Sequence, residues 1–94
     1  MFTHIVFFKL KNKDEVASAR NILLSMEGKI PQLKELEVGV DVMHTERSYD
    51  LALITKFDSL EDMKTYAVSE YHVNSVLKYI KPMLESSKTV DYEI

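Results

Sequence analysis

The sequence predicts an α+β domain whose elements follow the order βαββαβ around a four-stranded antiparallel sheet. Four segments have the two-residue period of a strand, and two repeat apolar residues every three to four positions, as helices do. The first and third strands are apolar on both faces, whereas the second and fourth are apolar on one face only. A strand with two apolar faces belongs inside a sheet. The predicted strand order is therefore 4-1-3-2, the ferredoxin-like arrangement.

The first strand covers Phe2–Leu10 and carries apolar residues at both parities. After it, Asn12 and Glu15 have the spacing of a capping box, in which each side chain binds a free backbone N–H of the other residue. The apolar positions that follow lie on one helical face, and Gly28 provides a stop. The sequence therefore predicts a helix over residues 13–27 that packs on the sheet by a single face.

The next two strands are predicted within residues 33–42 and 49–57. The earlier one alternates Leu and Val with Glu, Gly and Asp, so one of its faces is buried and the other is solvated. The later one, YDLALITKF, carries apolar residues on both sides at its centre. A polar turn, MHTERS, joins the two strands and contains His44, which we expect to be solvated.

The last third of the chain predicts an interrupted helix and an edge strand. Ser59 marks a helix start, and the apolar face that begins there is broken at residues 68–70. Ser69 can cap a second helical segment. Pro82 should end or kink that segment, because proline lacks the backbone donor. Residues 89–94 then alternate, which predicts the fourth strand.

Length and composition define the class of protein. The 94 residues, predicted to form a single domain over 1–94, are 46% hydrophobic and 29% charged, with a net charge of −3. This acidic balance argues against a nucleic-acid partner, and no apolar run approaches the ~20 residues that span a bilayer. The lack of cysteine, and of space for a leader before the first strand, predicts a cytoplasmic location. Cofactor fingerprints and metal-ligand spacings are absent, so neither a cofactor nor a metal is predicted.

One face of the predicted sheet has no helix to cover it. Two helices can shield one side, and the other side still carries large apolar groups from the first and third strands. A second copy of the chain is a suitable cover, so the sequence predicts a homodimer in which two sheets pack face to face as a barrel. The pattern leaves open which face of the first strand is the dimer face.

Three residues are candidates for a functional site. His4 lies in the first strand, Tyr66 on the apolar side of the first helical segment, and His72 in the opening turn of the second. The interruption at residues 68–70 leaves a gap above the sheet, so Tyr66 and His72 would flank a small, mostly apolar pocket that contains His4. Imidazole and phenol are acid–base groups. The alternative is that His4 is a hydrogen-bonded core residue, Tyr66 a core aromatic, and His72 only a residue in the first turn of the helix.

Four stretches can be compared with known families: HIVFFK at 4–9, YDLALITKFDSLEDMKTY at 49–66, YHVNSV at 71–76 and the closing VDYEI. In their order and spacing they resemble the stress-responsive A/B barrel (Dabb) family. The likeness covers nearly the whole chain. It implies a ferredoxin-like subunit and a homodimer in which two sheets form a barrel.

The resemblance also implies a chemistry for the site. One plant branch of the family cyclises polyketides without a cofactor, using a tyrosine and a histidine around the covering helix. Tyr66 and His72 match those positions, and His4 matches the first-strand histidine beside them. Members commonly carry His-Pro-x-His before the second helix, where this sequence has Ser-Glu-Tyr-His over residues 69–72. Only the final histidine is kept, so the substrate is expected to differ.

Three functions fit these features. The first is binding or transformation of a small hydrophobic organic molecule by cofactor-free, cyclase- or lyase-type acid–base chemistry. In that function His72 is the base, and the Tyr66 hydroxyl orients the substrate or stabilises an oxyanion. The second is a cofactor-independent monooxygenase, which would share the dimeric barrel architecture. The third is a structural or sensory dimer without catalysis.

Overall fold

The computed structural model describes all residues 1–94 and contains one antiparallel sheet of four strands. The strands are β1 (Phe2–Leu10), β2 (Glu35–Val40), β3 (Leu51–Phe57) and β4 (Leu84–Glu93). They lie in the order β2-β3-β1-β4, with β1 and β3 inside. The predicted 4-1-3-2 order and the ferredoxin-like α+β fold are confirmed.

Helical segments cover one face of this sheet. They are, in chain order, a 3₁₀ turn (Lys13–Glu15), α1 (Val16–Leu24), α2 (Leu60–Ala67) and a segment of residues 70–83, called here the C-terminal helical segment. The last of these is π-helical over His72–Leu77, α-helical over Lys78–Ile80 (α3) and 3₁₀ over Lys81–Met83. Pro82 lies in the closing 3₁₀ turn, where the helix ends as the sequence predicts.

The first helix is shorter than the predicted range of 13–27. The Asn12 side chain accepts a hydrogen bond from the N–H of Asp14 at 2.9 Å, whereas the capping-box prediction required the N–H of Glu15. Glu15 instead donates to the Asn12 carbonyl at 3.1 Å, which closes the first turn as 3₁₀. Beyond α1 the chain continues as turns until Gly28, whose φ of 75° supplies the predicted stop.

β4 begins at Leu84, well before the predicted start at residue 89. The added residues are mostly polar and do not alternate. Their backbone nevertheless pairs with the end of β1, through Leu84 opposite Leu10 and Ser87 opposite Phe8. An edge strand is held by such pairing and tolerates polar side chains, so periodicity gave no signal here.

The loop between β2 and β3 is longer than the sequence predicts. β2 ends at Val40, and the Asp41 carboxylate accepts the backbone N–H of His44 at 2.7 Å, which turns the chain out of the sheet. Val42, expected in the strand, is 83% exposed. His44 has a φ of 54° and an exposed side chain, in agreement with the expectation that it is solvated.

The sheet has one covered and one uncovered face. Phe2, Val6, Phe8 and Leu10 of β1 face the helices and are buried, whereas Phe7 is 40% exposed. Residues directly opposite each other on paired strands share a face. The uncovered side, called here the open face, therefore carries the apolar residues Ile5, Phe7, Ala52, Ile54, Val90 and Tyr92. The structure thus identifies the face of β1 that the helices leave uncovered.

Asp50 joins three parts of the fold at the end of β1. Its N–H donates to the Phe8 carbonyl at 2.8 Å, and its carboxylate accepts the Leu10 N–H and the Lys13 ammonium, each at 2.7 Å. Burial alone raises the pKa of the Asp50 carboxyl, but the bonds from Leu10 and Lys13 outweigh it and leave the pKa lowered. The carboxylate therefore links β3 and the start of the first helix to β1.

Replacing this carboxylate should destabilise the fold. We expect Asp50→Asn to lower the free energy of unfolding by about 1–3 kcal/mol at pH 7, because the neutral amide lacks the negative charge that pairs with the Lys13 ammonium and strengthens both hydrogen bonds. A lowered pKa means that the stabilisation is fully present above the ordinary value of 3.8 and is lost as the pH falls through the folded-state pKa. Urea unfolding of both proteins should show their difference shrinking below that pH.

Asp58→Asn is the control for this experiment. The Asp58 side chain is 66% exposed and lies 4.0 Å from Lys34, so its loss should change the free energy of unfolding by less than about 0.5 kcal/mol. Equal losses in the two variants would contradict the structural role given to Asp50.

Candidate functional site

A cavity of about 190 Å³ lies between the covered face of the sheet and the helical segments. Its walls are mostly apolar and come from β1, β3, β4, α1, α2 and the C-terminal helical segment. His4, Tyr66 and His72, the three residues that the sequence singled out, all line it. The structure thus brings the three candidates together around one space.

The helix interruption brings Tyr66 and His72 together. α2 ends at Ala67, and the Ser69 hydroxyl donates to the Tyr66 carbonyl at 2.8 Å and accepts the His72 N–H at 3.3 Å. Ser69 therefore caps the next segment, as its position predicts. The ring centroids of Tyr66 and His72 lie 4.4 Å apart. The π-helical turn that starts at His72 was not predicted; such wide turns are frequent at functional sites.

Tyr66 is a buried hydrogen-bond donor. Its ring lies 4.9 Å from that of Phe57 and 6.5 Å from that of His4, measured between centroids. The hydroxyl donates to Sδ of Met26 at 3.6 Å. Burial raises the pKa of the Tyr66 phenol, so the hydroxyl keeps its proton. A thioether is a weak acceptor, so a ligand oxygen could compete with Met26 for this proton.

His72 is a neutral imidazole with one free nitrogen. Its Nδ1 lies 2.9 Å from the Ala67 carbonyl, which can only accept, so Nδ1 carries the hydrogen and Nε2 keeps a lone pair. Burial is the largest influence and lowers the pKa of His72; the Ala67 bond raises it, and the charges of His4 and Lys81 lower it further. The net lowering keeps the ring unprotonated at pH 7, the form that can accept a proton.

His4 has a partner that the sequence analysis did not identify. Its Nδ1 is hydrogen-bonded to Oδ1 of Asp91, which lies directly opposite on β4. A carboxylate accepts this bond, so Nδ1 is the donor and Nε2 is free. A carboxylate in this position fixes the tautomer of a histidine and stabilises the imidazolium when the ring takes up a proton. We call His4 and Asp91 the His–Asp pair.

Two further polar residues line the cavity and were also missed. Lys81 comes from the closing 3₁₀ turn, and Ser87 from the early part of β4. Ser87 fell in a stretch that the sequence did not predict as strand. Lys81 precedes Pro82 and had no sequence pattern that distinguished it from a solvated lysine.

Other features of the molecule do not add to this site. A wider recess of about 440 Å³ lies beside the loop between β2 and β3, but it contains none of the three candidates, and its Lys13 and Asp50 already pair with each other. No group of His, Asp and Glu side chains is arranged to hold a metal ion. None of the helices combines the length and apolar character needed to cross a membrane.

The fold and the cavity define a ferredoxin-like α+β protein with a small internal site. The family model of the stress-responsive A/B barrel domain (Dabb) matches residues 2–94. The chain therefore belongs to the Dabb family, and the resemblance found in the sequence is confirmed.

Solved structures of other proteins are similar to this chain in fold and in sequence. A dimeric protein of unknown function and ferredoxin-like fold from Bacteroides fragilis NCTC 9343 is 33% identical, with a TM-score of 0.84 over 99% of this chain and 95% of that one. A dimeric ferredoxin-like protein of unknown function from Thermobifida fusca YX is 25% identical, with a TM-score of 0.85 over 99% and 90%.

More distant similarity shows only the fold. The hydroxynitrile lyase from Passiflora edulis is 19% identical, with a TM-score of 0.82 over 99% of this chain and 92% of that one. A comparison with curated proteins gave no significant match.

The burial of His72 predicts a pH dependence of stability. The unfolded chain takes up a proton at His72 near the ordinary pKa of 6.5, whereas the folded chain does so only at lower pH. Wild-type protein should therefore lose stability as the pH falls below about 6.5. His72→Gln keeps an N–H for the Ala67 carbonyl and cannot titrate, so its unfolding free energy should fall less over the same range. Urea unfolding between neutral and mildly acidic pH measures this, and an unchanged slope in the variant would refute it.

Proposed function

We propose that this protein is a homodimer that binds a small organic molecule in the cavity beneath the interrupted helix and transforms it by proton transfer. The observation that carries the proposal is the convergence of His4, Tyr66 and His72 on one mostly apolar cavity. Fold likeness alone does not assign a function, so the argument rests on these side chains. Proton transfer between side chains and ligand needs no cofactor, and the proposal includes none.

The size of the cavity limits the ligand. A dry cavity of ~150 Å³ accommodates benzene, and pockets for drug-sized molecules reach roughly 300–1,000 Å³. The space of about 190 Å³ therefore suits a molecule with one ring, or a short chain of similar bulk. Larger polycyclic molecules would require the walls to move.

The acid–base roles follow from the hydrogen bonds. The His–Asp pair is the stronger candidate for the base, because the Asp91 carboxylate stabilises the imidazolium that His4 becomes. The sequence favoured His72, whose burial and missing counter-ion make it the poorer proton acceptor but a suitable neutral hydrogen-bonding partner. The Tyr66 hydroxyl stays protonated and would donate a hydrogen bond to an oxygen on which negative charge develops.

The dimer is supported by the open face. Its apolar side chains lie on the three neighbouring strands β3, β1 and β4, a surface that a soluble monomer rarely leaves exposed. The related protein from Bacteroides fragilis is described as dimeric. We place the second copy on this face, so that the two sheets enclose the patch between them.

Charge on the open face should break this dimer. Phe7→Asp would place a carboxylate inside the proposed interface without a partner, which is strongly unfavourable. Native mass spectrometry of wild-type protein should give twice the chain mass of 10.9 kDa, and of the variant the single mass. Val68→Asp is the control, since Val68 is 77% exposed in the helix interruption and lies away from the sheet. A wild-type monomer at micromolar concentration would refute the dimer.

A neutral aromatic ketone should report on the cavity. We expect titration with acetophenone to shift the imidazole NMR signals of His4 and His72, because both rings line the cavity. His44, with a side chain 75% exposed on the distant loop, is the internal control and should not respond. Equal responses of all three histidines, or none, would contradict binding at this site.

Once a substrate is found, variants will test the assigned base. Removing a general base typically lowers the rate by about 10² to 10⁴. Asp91→Asn should therefore lower kcat strongly while the affinity for acetophenone stays the same, since Asp91 orients His4 and is not part of the cavity wall. A full rate in this variant would remove the His–Asp pair from the chemistry.

The two alternative functions, a monooxygenase and a non-catalytic dimer, require different features of the molecule. A cofactor-independent monooxygenase must hold O₂ beside its substrate, and about 190 Å³ leaves little space beyond one small molecule. Oxygen uptake during turnover of a quinol would favour it. A structural or sensory dimer needs no acid–base groups around a cavity, and under that reading the cavity would bind no aromatic probe.

A further inference from the structure

The cavity has a closed apolar end and an exposed polar rim. Residues from α1, β3 and the C-terminal helical segment that line it are almost fully buried: Leu23, Leu53, Val76 and Ile80. Lys81 and Ser87 line the same cavity but are exposed to solvent. A ligand would therefore place its apolar part among the buried residues and its other end near Lys81 and Ser87.

Lys81 brings a positive charge to this rim without a counter-ion. No Asp or Glu lines the cavity, and Lys81 takes part in none of the ion pairs within 4.0 Å. The Asp91 carboxylate does not line the cavity and is already bonded to His4. The charge of Lys81 reaches into the site, since it is one of the influences that lower the pKa of His72. The cavity lining thus contains a cation and no carboxylate.

The backbone around Lys81 is held in place. The preceding residue, Ile80, is fully buried, and the following one, Pro82, has a fixed φ. The Leu84 N–H donates to the Lys81 carbonyl and closes the turn, and the Met83 carbonyl accepts the Lys11 N–H at 2.9 Å, which ties the turn to the end of β1. A lysine on such a turn can lay its methylene stem along the apolar wall and keep its ammonium in the solvated rim.

We propose that Lys81 selects ligands that carry a carboxylate, so that the substrate class of the cavity is a small amphipathic acid with an apolar body and one anionic group. This inference rests on the proposed function of the cavity and adds the charge of its ligand. The apolar body fills the closed end, and the carboxylate lies at the rim, where the Lys81 ammonium and the Ser87 hydroxyl are available. Neutral molecules of the same shape bind more weakly.

A matched pair of probes tests this inference. Phenylacetate and phenylacetamide have nearly the same shape and differ in charge, and both are titrated into wild-type protein by calorimetry or NMR. We expect phenylacetate to bind about fivefold more tightly, the upper end for a solvent-accessible ion pair. Raised salt should reduce the preference, because exposed charges are screened.

Variants separate the charge of Lys81 from its stem. Lys81→Met keeps an apolar side chain of similar length and should bind the two probes equally, while Lys81→Arg should keep the preference. Lys64→Met is the control, because Lys64 is exposed on α2 and does not line the cavity. Circular dichroism of each variant checks that the fold is intact.

The outcomes distinguish the two proposals. If both probes bind wild-type protein equally, or if Lys81→Met keeps the preference for phenylacetate, the cavity binds ligands but Lys81 does not select them, and this inference is wrong. If neither probe binds, the proposed function of the cavity is wrong and the inference falls with it. Should Lys81→Met not fold, loss of the preference must still appear in wild-type protein at raised salt, and its persistence there would overturn the inference.

Discussion

The pairing of β1 on both of its edges is the constraint on which the rest of the molecule depends. β3 and β4 form backbone hydrogen bonds with its two edges. Alternate residues of β1 then point to opposite faces of the sheet, one covered by helices and one not. One parity builds the core under the helices and carries His4 into the cavity wall. The other forms the centre of the open face. A single strand therefore sets the position of the core, the site and the proposed dimer interface.

The arrangement of the elements could be predicted because it depends on local periodicity. Each strand and helix buries a face, and the repeat of apolar residues shows which face that is. The ends of the elements depend on hydrogen bonds that periodicity does not encode. β4 starts at Leu84 because its backbone meets the end of β1, although its side chains there are polar. The first helical turn is 3₁₀ because the Glu15 N–H donates to the Asn12 carbonyl.

The candidate site could likewise be predicted only in part. Tyr66 and His72 are six positions apart, and the broken apolar stripe between them was enough to predict that they flank one gap. The link from His4 to Asp91 needs the register of two strands from opposite ends of the chain, which no local pattern fixes. Lys81 lines the cavity because the turn that contains Pro82 lies beside it. Long-range geometry supplied the residues that the sequence alone did not reveal.

His4 and Asp91 are 87 positions apart, so the His–Asp pair can form only after most of this sequence has been synthesised. During synthesis the N-terminal strand emerges first, and it must wait for almost the whole chain before its second edge is paired. Contacts of such long range form late, because the intervening chain must first be closed into a loop. Until β4 docks, a nascent chain has an unpaired strand edge, which invites association with other chains. The His–Asp pair is absent over the same period, so a ribosome-bound or truncated chain lacks this part of the site.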